Sequence, residues 1–191
     1  MSAFKNLTAI ARREFGRLNR ADEGATAVEF GLILPMLVLV CLALLEFTII
    51  VFDYHRASEA TRRGARVVAI SEPILDPESL TTGGTVTCLG AGGGVTCNGG
   101  AADSPEVFNS VIAEMQDILP AIQAANVVVE YQDIGLGDIT TPGGIIPLVT
   151  VRIVDLDHPF LMLQGFPGFG PSIPYPDFTT NQMAGGLGDA S

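Results

Sequence analysis

The chain has 191 residues, enough for one domain with additional segments, and a formal net charge of −11, which argues against nucleic-acid binding. The charge is unevenly distributed, because residues 71–191 carry Arg152 as their one Lys or Arg against fourteen acidic residues. Such asymmetry is typical of a membrane protein whose two ends lie in different compartments.

The first 24 residues form a basic segment that contains five Lys or Arg residues. Its apolar residues recur at helical spacing: Phe4, Leu7, Ala11, Phe15 and Leu18. Two interpretations remain open for this segment. It is either an amphipathic helix resting on an anionic inner leaflet or a poorly ordered soluble leader.

Residues 30–52 form the most apolar run of the chain, with Glu46 as its one formal charge. At roughly 1.5 Å per residue, a helix of this length spans about 35 Å, which is enough to cross a hydrocarbon core of about 30 Å. A secretory signal peptide has a shorter apolar run followed by a small-residue cleavage site, so removal of the whole run is not expected. We therefore predict a transmembrane helix over residues 25–52, in which Pro35 is tolerated.

The basic segment before the span predicts a cytoplasmic N-terminus and an extracytoplasmic C-terminal domain. Four arginines after the span weaken this signal: Arg56, Arg62, Arg63 and Arg66. We expect Glu46, about 25 Å beyond Glu29 at roughly 1.5 Å per residue, to reach water near the outer interface. A second contact between subunits is the alternative role for Glu46.

Helical character continues through residues 53–70 without a break. Small or apolar residues fall on one stripe, which would let a sheet or a second helix approach closely. That stripe consists of Ala57, Ala60, Gly64 and Val67. We predict one helix from about Ala25 to Ile70, with a Glu59–Arg63 pair on its surface.

Residues 81–102 are rich in glycine and are predicted to form a loop framed by Cys88 and Cys97. Outside the cytoplasm, two cysteines this close together in a loop are expected to form a disulfide. The glycines lack the Gly-Lys-Ser/Thr ending and the strand-to-helix context of a phosphate-binding loop. Cys41 lies in the span and is interpreted as a structural residue.

The predicted ectodomain comprises residues 53–180. After residue 102 it alternates helical and strand patterns. Ser104-Pro105-Glu106 is a typical helix start, and residues 126–134 and 145–155 have the β-branched composition of strands. A short final strand is possible near residues 175–180, and residues 181–191 are expected to form a mobile tail. These elements predict an α+β fold, with a long N-terminal helix and a short antiparallel sheet.

No pattern of catalytic residues is visible in the sequence. His158 follows Asp155 and Asp157, and these three side chains are candidate metal ligands. The preferred interpretation is a turn that ends a strand, where Asp is common. Nucleophile elbows and zinc-protease motifs are absent from the sequence. We expect no enzymatic activity, no cofactor and no metal ion.

The stretch GATAVEFGLILP, residues 24–35, places a carboxylate inside the apolar helix. A cut after Gly24 would make Ala25 the first residue and Glu29 the fifth, and would create an α-amine at the edge of the bilayer. In a bundle of staggered parallel subunits, Glu29 could pair with the amine of a neighbour and fix the register. From spacing alone, Glu29 could equally mark the cytoplasmic membrane boundary.

The same residues resemble the TadE-like family, the pseudopilins of the tight adherence (Flp) pilus system. The resemblance covers about residues 20–70 and includes Glu29-Phe30 and Glu46-Phe47. Further matching features are Gly24 before a small residue, LILP at residues 32–35 and RRGAR at residues 62–66. Phe30 stands where the major pilins of this system have tyrosine, which favours a pseudopilin over the main filament subunit.

The resemblance implies cleavage between Gly24 and Ala25 by an aspartyl prepilin peptidase. It also implies a minor or initiating role in assembling a surface fibre that mediates adhesion, with other pilins and pseudopilins as partners. The expected location is the bacterial inner membrane, with a periplasmic C-terminal domain. The alternative is an uncleaved single-span anchor that presents an extracytoplasmic binding domain.

Overall fold

The computed structural model describes residues 22–80, 83–91, 94–98, 100–137, 144–166 and 168–185. The predicted leader, residues 1–24, therefore lies almost entirely outside the described residues. The chain divides into two compact units, Met1–Glu46 and Phe47–Ser191.

One helix, α1, runs without interruption from Asp22 to Ile70 and contains Pro35. It confirms the prediction of a single helix from about Ala25 to Ile70. Proline is tolerated here, although it removes one backbone hydrogen bond, because the flanking turns continue the helix.

In the second unit, the part of α1 from Phe47 onward buries a stripe of small residues. Ala57 and Ala60 are fully buried, and a side chain at Gly64 would place its Cβ 2.7 Å from the Sδ atom of Met115. Met115 belongs to the second helix, α2, which spans Pro105–Gln116. The small residues of the predicted stripe thus admit a second helix, as expected.

The arginines of α1 make different pairs from the one predicted. Glu59 pairs with Arg62, three residues away, at 3.1 Å. Arg63 instead reaches Glu114 on α2, with a closest N–O distance of 2.6 Å. The predicted Glu59–Arg63 pair is therefore wrong, because the packing of α2 against α1 offers Arg63 a carboxylate on another element.

The main sheet has six antiparallel strands in the order β3-β2-β1-β4-β5-β8. Its strands are β1 (Thr85–Ala91), β2 (Gly94–Cys97), β3 (Gly100–Ala101), β4 (Val127–Gln132), β5 (Leu148–Ile153) and β8 (Phe178–Met183). A separate two-stranded sheet consists of β6 (Asp157–Pro159) and β7 (Ser172–Pro174). Short 3-10 helices occupy Pro77–Ser79 and Ala124–Asn126.

The strands predicted over residues 126–134 and 145–155 correspond to β4 and β5, which pair directly. The final strand is β8, slightly later than the predicted residues 175–180. Asn181 to Met183 therefore belong to the sheet and not to a mobile tail, while residues 186–191 lie outside the described part of the chain.

The prediction that residues 81–102 form a loop is wrong, since they contribute β1, β2 and β3. Val86 and Cys88 face the core while their neighbours are more exposed, so β1 has the alternation of a half-buried strand. The abundant glycines hid this pattern. Gly90 lies so close to the backbone of Ala124 that a Cβ could not fit, which explains a glycine inside a strand.

Both helices and the sheet contribute to one core in the second unit. Phe108 and Val111 of α2 join Val129 and Tyr131 of β4, together with the small stripe of α1. This arrangement confirms the predicted α+β class: a long apolar N-terminal helix followed by a small antiparallel sheet domain.

Candidate functional site along the first helix

The N-terminal part of α1 exposes a continuous apolar surface. All side chains from residue 24 to residue 41 are exposed, among them Val28 at 70% and Leu32 at 78%. Its most apolar 18-residue window has a mean hydropathy of 2.7. Within the described residues, α1 is the one helix long and apolar enough to cross a membrane. These properties match a single-span membrane protein.

Gly24 lies at the start of α1, two residues after Asp22. A Cβ placed on Gly24 would meet no heavy atom within 4 Å, so the backbone around the Gly24–Ala25 bond is open on that side.

Glu29 is exposed on α1 between Val28 and Phe30, whose side chains are 70% and 63% exposed. Its carboxylate thus lies within the apolar surface that would face lipid or other helices. A charge in this position is costly in hydrocarbon, although less so near a helix end than at the bilayer centre.

Glu46 departs from the prediction, because its side chain is fully buried and does not reach water. Helix length alone predicts a position for Glu46 near the outer interface. Length fixes the height of a residue along the helix axis but does not show which residues cover it.

In the second unit, α1 is tied to the region around β6 and β7. The Tyr175 hydroxyl donates to the carbonyl oxygen of Ile50 at 3.1 Å. His158 Nδ1 lies 3.3 Å from Asp53 Oδ2, and Arg56 Nη1 lies 3.7 Å from the other oxygen of Asp53. Burial, followed by the negative charge of Asp53, raises the pKa of Tyr175 to about 12, so its hydroxyl stays protonated at neutral pH.

The geometry around His158 supports the interpretation of Asp155 as a turn residue. Asp155 has a positive φ of 51° after β5, and both Asp155 and Asp157 are exposed. His158 is buried and contacts Asp53 instead. Among the described residues, no cluster of three His, Cys, Asp or Glu side chains could hold a metal ion. Local sequence patterns do not indicate the Asp53–His158 contact, because the two residues are far apart in the chain.

Cys88 and Cys97 occupy directly opposite positions of β1 and β2. The structure joins their sulfur atoms as a disulfide, with an S–S distance of 1.96 Å. Cys41 is exposed on α1 as a free cysteine.

Comparison with known proteins links the first helix to one family. A family model described as TadE-like protein matches residues 24–66, which confirms the resemblance over this segment. The matched segment begins at Gly24 and covers most of α1. No curated protein and no solved structure matches the chain.

Proposed function

We propose that this TadE-like chain is a minor pilin or pseudopilin that is stored in the inner membrane and assembled after its leader is removed. The observation that carries the proposal is the exposed apolar surface of α1, which begins at the Gly24–Ala25 bond and contains Glu29. The match to the family over residues 24–66 gives this surface its context. Adhesion through the resulting surface fibre is the expected biological role.

The exposed part of α1 accounts for both states of the protein. Each large aliphatic or aromatic side chain moved out of water contributes roughly 1.5–3 kcal/mol, so this surface must be covered. Lipid covers it in the stored state, and the helices of neighbouring subunits would cover it in a fibre. Assembly in this scheme exchanges one apolar environment for another, with the ectodomain remaining folded.

Processing would depend on the open backbone at Gly24. A membrane-embedded peptidase must bring its catalytic groups to the peptide bond, and glycine presents no side chain against that approach. We therefore expect Gly24→Val to block removal of residues 1–24. Mass spectrometry of the membrane-extracted protein, with and without a prepilin peptidase, measures the outcome.

Gly31 provides the matched control, because it lies in the same helix and a Cβ there also meets no atom within 4 Å. Gly31→Val should be processed normally. A wild-type protein that still begins at Met1 in the presence of the peptidase would contradict processing and favour the uncleaved membrane anchor.

Glu29 would act after processing, when Ala25 carries a free α-amine. Pairing of Glu29 with the amine of a neighbouring subunit would offset the cost of the carboxylate only in the correct register. We expect Glu29→Ala and Glu29→Gln to be processed normally but to reduce fibre output. Fibres sheared from cells and quantified by immunoblot provide the measurement, and normal output from both variants would refute the pairing.

A further inference from the structure

The connection between β6 and the end of β7 has an unusual composition. Residues 159–176, PFLMLQGFPGFGPSIPYP, contain no Asp, Glu, Lys, Arg or His. The surrounding ectodomain is strongly acidic, with fourteen carboxylate residues between positions 71 and 191. We call residues 159–176 the uncharged segment.

The uncharged segment exposes apolar side chains. Leu161 is 58% exposed, Phe169 48% and Ile173 40%. Exposed side chains of this size, close together along the chain and without charges between them, are typical of surfaces that contact a membrane or another protein.

The described residues of the uncharged segment, 159–166 and 168–176, are also held in a defined conformation. The Phe160 and Phe169 rings pack edge to face with centroids 6.0 Å apart, and the Phe160 N–H donates to the carbonyl oxygen of Pro171. Leu163 is buried, and Tyr175 near the end of the segment packs against the core of the domain. The exposed residues therefore do not belong to an unstructured loop that could fold back into the core.

Contacts within the second unit place the end of this segment beside α1. Tyr175 bonds to the carbonyl oxygen of Ile50. An apolar groove of about 260 Å³ is lined by Ile50, Val51 and Tyr54 of α1 and by residues 173–176. Ile50 and Val51 are among the last residues of the apolar run, residues 30–52. The groove thus lies at the height where the helix would leave the hydrocarbon.

We infer that the uncharged segment docks on the surface of the bilayer leaflet from which the ectodomain emerges, with Leu161, Phe169 and Ile173 reaching the acyl-chain boundary. The inference rests on the membrane storage proposed above. Tyr54 and Tyr175 line or border the groove and have the amphipathic rings that favour a membrane–water interface.

The lack of charge suits the uncharged segment, and not the acidic remainder of the ectodomain, to contact with a bilayer surface. An anionic membrane surface repels the carboxylates that cover the remainder of the ectodomain, whereas an uncharged apolar segment approaches it without that cost. Because the segment belongs to the same chain as the proposed membrane helix and its end contacts α1, docking requires no diffusional encounter. Its role is to hold the ectodomain against the membrane before assembly.

The chain contains no tryptophan, so one introduced indole reports its own surroundings. We would place Phe169→Trp in the full-length protein and reconstitute it at high lipid-to-protein ratio in phosphatidylcholine vesicles. Leu89→Trp is the matched control, since Leu89 is 45% exposed on β1. We expect blue-shifted emission from the tryptophan at position 169 and at least about twofold stronger quenching by bromine-labelled acyl chains than in the control.

Water-like emission without quenching at position 169 would overturn the inference. Blue-shifted emission that bromolipid does not quench, and that disappears on dilution into more lipid, would identify a second copy as the occupant and would also overturn it. Ile173→Trp repeats the test if Phe169→Trp does not fold. Failure of the wild-type protein to float with vesicles would instead contradict membrane storage, so the two failures are distinguishable.

Discussion

The carboxylate of Asp133, directly after β4, holds two loops in place by hydrogen bonds. Its two oxygens accept hydrogen bonds from the N–H groups of Gly83 and Gly135, each at 2.8 Å. Both glycines have positive φ angles, so each loop turns sharply where it meets the carboxylate. These hydrogen bonds, first that from Gly135, hold the pKa of Asp133 below its ordinary value.

Asp133→Asn is expected to destabilise the ectodomain at neutral pH, because an amide offers one acceptor oxygen where the carboxylate offers two. Since the folded-state pKa of Asp133 is lowered, its contribution is complete above the unfolded pKa and is lost as pH falls through the folded pKa. The difference between wild type and variant should therefore shrink on acidification. Thermal unfolding of the full chain in detergent between neutral and acidic pH measures it.

Asp177 supplies the control, because it is an exposed Asp to which the same substitution can be made. Asp177→Asn should leave the unfolding midpoint nearly unchanged. A difference between wild type and Asp133→Asn that stayed constant across the pH range would contradict a role for the ionised carboxylate.

Individual contacts of this kind were not predictable from the sequence. Asp133 meets Gly83 across 50 positions, and Arg63 meets Glu114 across 51. Sequence patterns report neighbours three or four positions away on a helix, so they suggested Glu59 as the partner of Arg63. The roles proposed for Gly24 and Glu29 rest instead on spacing along one element, and they stay predictions.

At the scale of elements, the contact between α1 and α2 depends on the missing side chain at Gly64. Met115 occupies the space above Gly64, and its flexible side chain could move aside for one methyl group. Gly64→Ala should thus be tolerated, helped by the higher helix propensity of alanine.

Gly64→Leu is expected to lower the stability of the ectodomain by about 1–3 kcal/mol, because the larger side chain overpacks the contact between the helices. Chemical denaturation of the ectodomain in detergent measures the change. Gly31→Leu introduces the same side chain into the same helix where no neighbour lies within 4 Å, and it should not alter this stability. Equal effects of the two substitutions would contradict the packing argument.

The elements differ in how clearly their local sequence patterns predict them. Helix α1 and strands β4 and β5 carry long apolar or β-branched patterns, and α2 has a recognisable start at Pro105. Strands β1, β2 and β3 were missed because their glycines resemble a loop by composition. Gly90 is required by the close approach of Ala124, a tertiary contact that has no counterpart in the local pattern.

For the whole molecule, the orientation in the membrane and the state of the cysteines are linked. Sequence charge favours an extracytoplasmic ectodomain, but the arginines that follow the span oppose this assignment. A disulfide between Cys88 and Cys97 forms and persists in an oxidising compartment and is rare in the cytoplasm. The pair therefore reports the location of the ectodomain.

We predict that alkylation of the denatured protein from acid-quenched cells labels one thiol, that of Cys41, and labels three after reduction. Mass spectrometry counts the added groups. In Cys41→Ser, the number of labelled thiols should fall to zero before reduction and two after it. Air-oxidised purified protein shows whether the Cys88–Cys97 disulfide can form. If the purified pair forms while all three thiols are labelled in unreduced cells, the ectodomain lies in the cytoplasm and the proposed orientation is wrong. A result of one thiol places the β1–β2 pair outside the cytoplasm, the side on which the proposed orientation puts the ectodomain.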